Sequence, residues 1–363
     1  MVKKSILILV SCLVVTSALC VSCGSSGEDA EIAENGAPPF SDPNFEASIR
    51  DAINKHEGTI EPEDVAGLTS LTAVKRNISN LSGLEYCTGL TELDLSENRI
   101  TDISPLASLT GLTLLHLRYN QIEDISPLES LKNLTELHLG FNEITDVSPL
   151  KRLTKLTDLE LTHNNIEDIS GLSSLKNLTR LALGENRLSD ISSLDSLSRL
   201  KSLWLAYNKI SDISPLKSLK ALTELHLEHN KISDISPLSS LTDLNILDLT
   251  NNQISDISSM ESMTGLTWLY LRYNQISDIS PLSSLVKLNW LYLEFNNISD
   301  ISPLKSLAEL TKVTLAKNQI SDIHWLIFMP ALEEVTLNGN PLSSSSANDD
   351  IQKLEARGIS VSR

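Results

Sequence analysis

Hydrophobic positions recur along this chain with a fixed period of 22 residues and no insertion. One copy carries Leu90, Leu93, Leu95, Asn98, Ile100, Ile103, Leu106 and Leu109. Asparagine then returns at 120, 142, 164, 186, 208, 230, 252, 274, 296, 318 and 340. The alternation around Leu93 and Leu95 sends those side chains one way and Glu92, Asp94 and Ser96 the other, the period-2 pattern of a short strand. Asp102-Ile103-Ser104-Pro105 follows with turn-forming residues, which predict a brief 3₁₀ turn on the opposite side of each coil. One coil cannot bury its apolar side alone, whereas stacked coils can. The pattern therefore predicts an α/β solenoid: one parallel sheet on one face, and short 3₁₀ turns on the other.

The boundaries follow from where this pattern starts and stops. Twelve regular copies succeed one degenerate copy (Leu68, Leu71, Ala73, Ile78, Leu81, Leu84) with Arg76 in place of the asparagine, giving an array over 68–342. Before it, Phe45, Ile49 and Ile53 have helical spacing within Phe45–His56, so 42–67 reads as a helical N-terminal cap. After it, Asn348–Arg357 predicts a helix, and Ile359 with Val361 a last strand, so 343–363 reads as an α+β C-terminal cap. Caps of this kind protect the open ends of a stack. The asparagine column is expected to bond turn backbone, because a carboxamide both donates and accepts. The aspartates of the Asp-Ile-Ser turns are expected to cap their own backbone. Neither column reads as a ligand site.

The N-terminus has a different pattern. Met1–Lys4 is a short basic start, Ser5–Cys23 is apolar, and polar Gly24-Ser25-Ser26-Gly27 follows, so 1–22 reads as an export leader and 23–41 as a flexible tether. The leader resembles those of bacterial lipoproteins, in which a cysteine is acylated. Cys23, preceded by small Ser22, is the expected attachment point, and Cys20 the alternative; plain cleavage or an uncleaved apolar anchor are the other readings. Outside the leader only Cys87 remains, so an internal disulfide is excluded, and its place on an inward leucine position makes it a core residue. The net charge of −18 excludes a nucleic-acid partner, which demands a basic face.

With repeats of this form, behind a cap reading Asp42-Pro43-Asn44-Phe45-Glu46-Ala47-Ser48-Ile49-Arg50-Asp51-Ala52-Ile53, residues 42–363 resemble the internalin-like leucine-rich-repeat proteins of bacteria. The resemblance implies a curved solenoid with a concave parallel sheet and a role in protein binding outside the cytoplasm. It departs from the family in lacking a C-terminal sorting motif or a following immunoglobulin-like domain, and the anchor is expected at the N-terminus. The family's host-cell receptors are therefore not carried over.

The frame also shows what occupies the outward strand positions, two, four, six and seven residues after each opening leucine. Of the twelve Phe, Trp and Tyr between 90 and 341, ten fall there: Tyr119, Phe141, Trp204, Tyr207, Trp268, Tyr270, Tyr273, Trp290, Tyr292 and Phe295. Six of these crowd into two adjacent copies, and the 22-residue pitch sets Trp268 beside Trp290, Tyr270 beside Tyr292 and Tyr273 beside Phe295. Aromatic anchors of this kind are the usual centre of a recognition surface. Trp204, Tyr207 and the six clustered aromatics are accordingly the expected ligand-binding residues, for a protein partner or, alternatively, a glycan. The competing explanation is that aromatics suit strands and stack across a sheet; a structural surface protein without a ligand would follow from it. The N-terminal half of the same face is acidic (Glu92, Asp94, Glu97, Glu136, Asp158, Glu160), an expected landing place for a partner's bases. His116, His138 and Glu160 share one column with His163 nearby, zinc-type ligands whose spacing alone does not aim them at one ion, so neither metal nor other cofactor is assigned. Phosphate-cradling glycine loops and hydrolase motifs are missing from the sequence, and the carboxylates are expected on an open face without a pocket to shift their pKa, so no catalytic residue is assigned.

Overall fold

The computed structural model describes residues 40–342 and 345–363. Cys20 and Cys23, the leader and most of the tether lie outside the described residues. No helix among the described residues is long and apolar enough to cross a membrane.

Fourteen three-residue strands, β1 (Ser70–Thr72) to β14 (Ser360–Ser362), form one parallel sheet in chain order. The register repeats the sequence period: Leu71 pairs with Leu93, Leu93 with Leu115, and Leu115 with Leu137. Each crossover carries a 3₁₀ turn such as Ser104–Ser108, where Pro105 occupies the first turn and so loses no hydrogen bond.

Between sheet and turns lies one continuous core from Phe45 to Ile359. In a single coil Leu112, Leu115, Leu117, Ile122, Ile125, Leu128 and Leu131 are all at most 1% exposed. Parallel sheets need such coverage on the inward face, and here the coil's own leucines supply it.

Both polar columns do what their chemistry predicts. Asn142 Oδ1 accepts from the Ile122 amide at 3.0 Å, while its Nδ2 donates to the Leu117 and Leu139 carbonyls at 2.9 Å. Asp124 Oδ1 accepts from the Ser126 amide at 2.8 Å, closing the turn. Cys87 is fully buried, and burial, with Glu85 adding repulsion, pushes its thiol up to about 12. It is an inert core residue.

The caps differ in detail from the sequence expectation. The first helix, α1, spans Pro43–Ile53 and stops short of His56, because Asn54 turns left-handed (φ 54°) and its N–H bonds back to Arg50 and Asp51. A second short helix that periodicity did not predict, α2 (Pro62–Ala66), is fixed by a capping box between Glu61 and Asp64. The C-terminal helix α3 (Ser345–Ala356) starts three residues earlier than expected. β14 then pairs with β13 (Glu334–Thr336), placing Val361 opposite Val335.

Candidate functional site

Strands β10 (Trp268–Tyr270) and β11 (Trp290–Tyr292) bring together the six clustered aromatics. Trp268 and Trp290 stack with ring centroids 4.7 Å apart and planes 5° apart. Tyr270 and Tyr292 stack at 4.6 Å, and Tyr273 and Phe295 at 4.2 Å. The block stays open to solvent, with Tyr273 48%, Phe295 42% and Trp290 36% exposed. Trp268, Tyr270 and Tyr292 are half-buried. Arg272 lies over the Tyr292 ring at 5.1 Å. Its Nε faces Glu294 Oε2 at 3.9 Å, and both atoms are buried without a hydrogen-bond partner.

Trp204 and Tyr207 are not part of this block. They sit three strands away, where Tyr207 stacks on His229 at 4.0 Å and Trp204 leans on His226 at 5.0 Å. Trp204 Nε1 donates to Ser202 Oγ at 2.8 Å, and both aromatics remain exposed. A third run, Tyr119, Phe141 and His163, stacks at 4.1 and 4.6 Å.

Half of these aromatics stand where strand preference cannot explain them. Tyr119, Phe141, Tyr207, Tyr273 and Phe295 lie beyond the strand ends in the left-handed region, φ 54° to 56°. Every coil turns at this position; the last uses Gly339 (φ 76°), which adopts that conformation without a steric penalty. A bulky side chain there costs about 1–2 kcal/mol relative to the ordinary right-handed conformation. Aromatics at this place therefore gain nothing from β-propensity, which leaves stacking and recognition to account for them.

The acidic half of the face differs from expectation in a way that changes its chemistry. Glu160, expected to be open, is 3% exposed: its carboxylate accepts from Arg118 Nε at 2.9 Å, the Gly140 amide at 3.0 Å and the Thr162 amide at 2.9 Å. A Cβ at residue 140 would collide with that carboxylate, so Gly140 makes the room. Asp158 pairs with Arg180 at 2.9 Å. Burial works to raise the Asp158 pKa, but the facing His138 imidazole, 3.5 Å away, and the hydrogen bond from Arg180 outweigh it and leave it lowered. Burial likewise opposes ionisation of Asp94, yet the facing His116 and the Ser96 amide hold it down at about 2. Several of these carboxylates are thus already satisfied within the chain. The face also has a cleft where none was expected, of about 200 Å³ between Arg118, Tyr119, Phe141, Arg180 and Trp204 above Ala182. The signal that could have found it is the small residue at 182 among bulky neighbours in the same column.

The histidine row is likewise rearranged. His116 and His138 stack at 4.3 Å, but Glu160 turns away to Arg118, and Glu136 on the neighbouring column takes its place against both imidazoles. His163 pairs instead with Glu185 at 2.9 Å.

The fold and its face of ordered aromatic ladders are those of a repeat scaffold, and comparison with known proteins gives the family. The family described as Leucine Rich repeats (2 copies) matches residues 110–152, 154–196, 176–218, 198–237, 220–262 and 264–306, and a further leucine-rich repeat matches 86–103. An internalin (InlF) from Listeria monocytogenes is 35% identical over 91% of this chain and 98% of its own, with a TM-score of 0.86. Internalin C2 from the same organism is 38% identical over 59% of this chain and 93% of its own, with a TM-score of 0.55. The ectodomain of the Arabidopsis thaliana receptor kinase GASSHO1/SCHENGEN3 shares the fold at 23% identity, covering 77% of this chain and 40% of its own, with a TM-score of 0.64. No curated protein sequence matches. The chain belongs to the leucine-rich-repeat family, in its internalin-like branch.

Proposed function

We propose that this chain is a surface-tethered, non-enzymatic module that binds a protein partner outside the cytoplasm through the aromatic block of β10 and β11. One observation carries the reading: three stacked aromatic pairs sit side by side in two adjacent coils and keep solvent-exposed edges. Exposed aromatic surface of this kind marks interaction sites. Internalin-like relatives support the class of function.

The ring geometry favours protein over glycan. A sugar stacks on a free ring face, but Trp268 and Trp290 cover each other, and Tyr292 has Tyr270 on one side and Arg272 and Lys312 near its ring. The remaining ring surface is broken up by stacking partners and by the Arg272 and Lys312 cations, which suits side chains inserted from a partner. Replacing Trp268, Tyr270, Trp290 and Tyr292 together by alanine is expected to leave the array folded and abolish capture of the partner in a pull-down of surface proteins. Capture that survives the quadruple change rules out this surface.

The tether is the second element of the proposal: acylation at Cys23 would hold the array at a membrane surface. Labelling with a palmitate analogue is expected to disappear in Cys23→Ser; label that persists assigns the attachment to Cys20 instead.

A further inference from the structure

Upstream of the aromatic block, strands β3 (Leu114–His116), β4 (Glu136–His138) and β5 (Asp158–Glu160) gather a different chemistry. Glu136 Oε1 lies 2.9 Å from His116 Nε2 and 3.5 Å from His138 Nε2, and the latter nitrogen lies 3.5 Å from Asp158 Oδ1. In a tetrahedral zinc site with bonds of about 2.0–2.1 Å, neighbouring donor atoms stand about 3.3–3.4 Å apart. One donor atom from each of His116, Glu136 and His138 lies within 4.8 Å of the other two, so a modest side-chain adjustment brings them to coordination spacing.

Two further observations point the same way. His138 Nε2 is buried and makes no hydrogen bond, the facing Glu136 and Asp158 oxygens standing 3.5 Å away, although donors and acceptors at such depth are normally satisfied. On the far side of His116, Nδ1 faces Asp94 Oδ2 at 3.8 Å, beyond hydrogen-bond length but on the side from which a carboxylate can orient a metal-bound imidazole. Three carboxylates (Asp94, Glu136, Asp158) surround the pair of imidazoles, and of the two nearest guanidiniums Arg180 is held on Asp158 and Arg118 on Glu160. Imidazole with carboxylate is a donor set for zinc-class ions rather than for calcium or magnesium, which take oxygen ligands.

We propose that His116, Glu136 and His138 form a binding site for a zinc-class divalent cation, with the fourth position open to water, to Asp158 or to a donor from a bound partner. The stacked rings, 2° from parallel, cannot both hold an ion in their planes as they stand. Loading therefore turns at least one imidazole about its Cβ–Cγ bond.

A metal-stripped sample of the full chain, titrated with cobalt(II), tests this. One equivalent is expected to produce the intense visible absorption of a four-coordinate cobalt site, and zinc to erase it. The band is expected to vanish in His116→Gln and in His138→Gln. It should persist in His226→Gln, which alters the other imidazole–carboxylate cluster on this face (His226, Glu228, Asp248). Wild-type protein that gives no such band shows an ion-pair network only and overturns the proposal, without depending on how any variant folds. A band lost in His226→Gln and kept in the other two overturns it as well.

Discussion

At Asn142 one carboxamide replaces what a neighbouring strand supplies elsewhere, bonding three backbone groups in two coils with both its donor and its acceptor atoms. Aspartate has the same shape but cannot donate, and leucine can do neither. Each buried backbone group left unpaired costs about 1–3 kcal/mol. Asn142→Leu is accordingly expected to lower stability by about 3 kcal/mol in urea unfolding, with Asn142→Asp close behind. A loss below about 1 kcal/mol would mean that water replaces the amide and that the column is dispensable. This role was legible in the sequence because the groups the asparagine satisfies belong to its own turn and to the neighbouring coil, which the constant period specifies. Glu160 was not legible: whether it faces solvent depends on Gly140 leaving space and Arg118 reaching across, a matter of side-chain fit between coils that no period encodes.

The caps are elements of a different kind, because they lie outside the repeat. Asp42 joins α1 to the array. One carboxylate oxygen accepts from the Asn44 and Phe45 amides at the start of the helix, and the other from the Ser79 and Asn80 amides of the first coil. Burial alone would raise its pKa, but those four amides hold it below the usual carboxylate value. Because the folded-state pKa is depressed, the charge contributes stability above the unfolded value of about 3.9, and that contribution is lost as pH falls through the folded value. Asp42→Asn keeps an acceptor and loses the charge. It is expected to be less stable than wild type by about 1 kcal/mol at pH 7, the usual magnitude of a cap contribution, with the gap closing below pH ~4. Urea midpoints at neutral and acid pH measure both, and a gap independent of pH would show that the charge is irrelevant. The helical spacing of Phe45, Ile49 and Ile53 foretold α1, since three inward residues suffice to define a helix face. The five residues of α2 are too few for any period to show, and only its cap identifies it.

For the whole molecule, a constant pitch makes coils interchangeable as scaffold but not as surface. That is why the pairing of Trp268 with Trp290 could be read from spacing, whereas the cleft below Trp204 and the left-handed turn that carries Tyr273 could not. Alignment along a column follows from arithmetic; shape across columns follows from side-chain volumes and backbone torsion. Deleting residues 178–199 removes one complete coil and joins Asn177 to Leu200 in phase, so β5 would pair with β7 (Ser202–Trp204) through the same leucine register. Deleting 266–287 is equally in phase and removes β10. Since a repeat contacts chiefly its neighbours, both deletions are expected to fold and to shift the unfolding midpoint by similar amounts. Only the second removes half of the aromatic block, and only it should abolish partner capture. If the 178–199 deletion also abolishes capture while remaining folded, the footprint extends from β10 past Trp204 to the deleted coil or beyond it, and the partner must span at least four strand spacings, about 19 Å at 4.8 Å per strand.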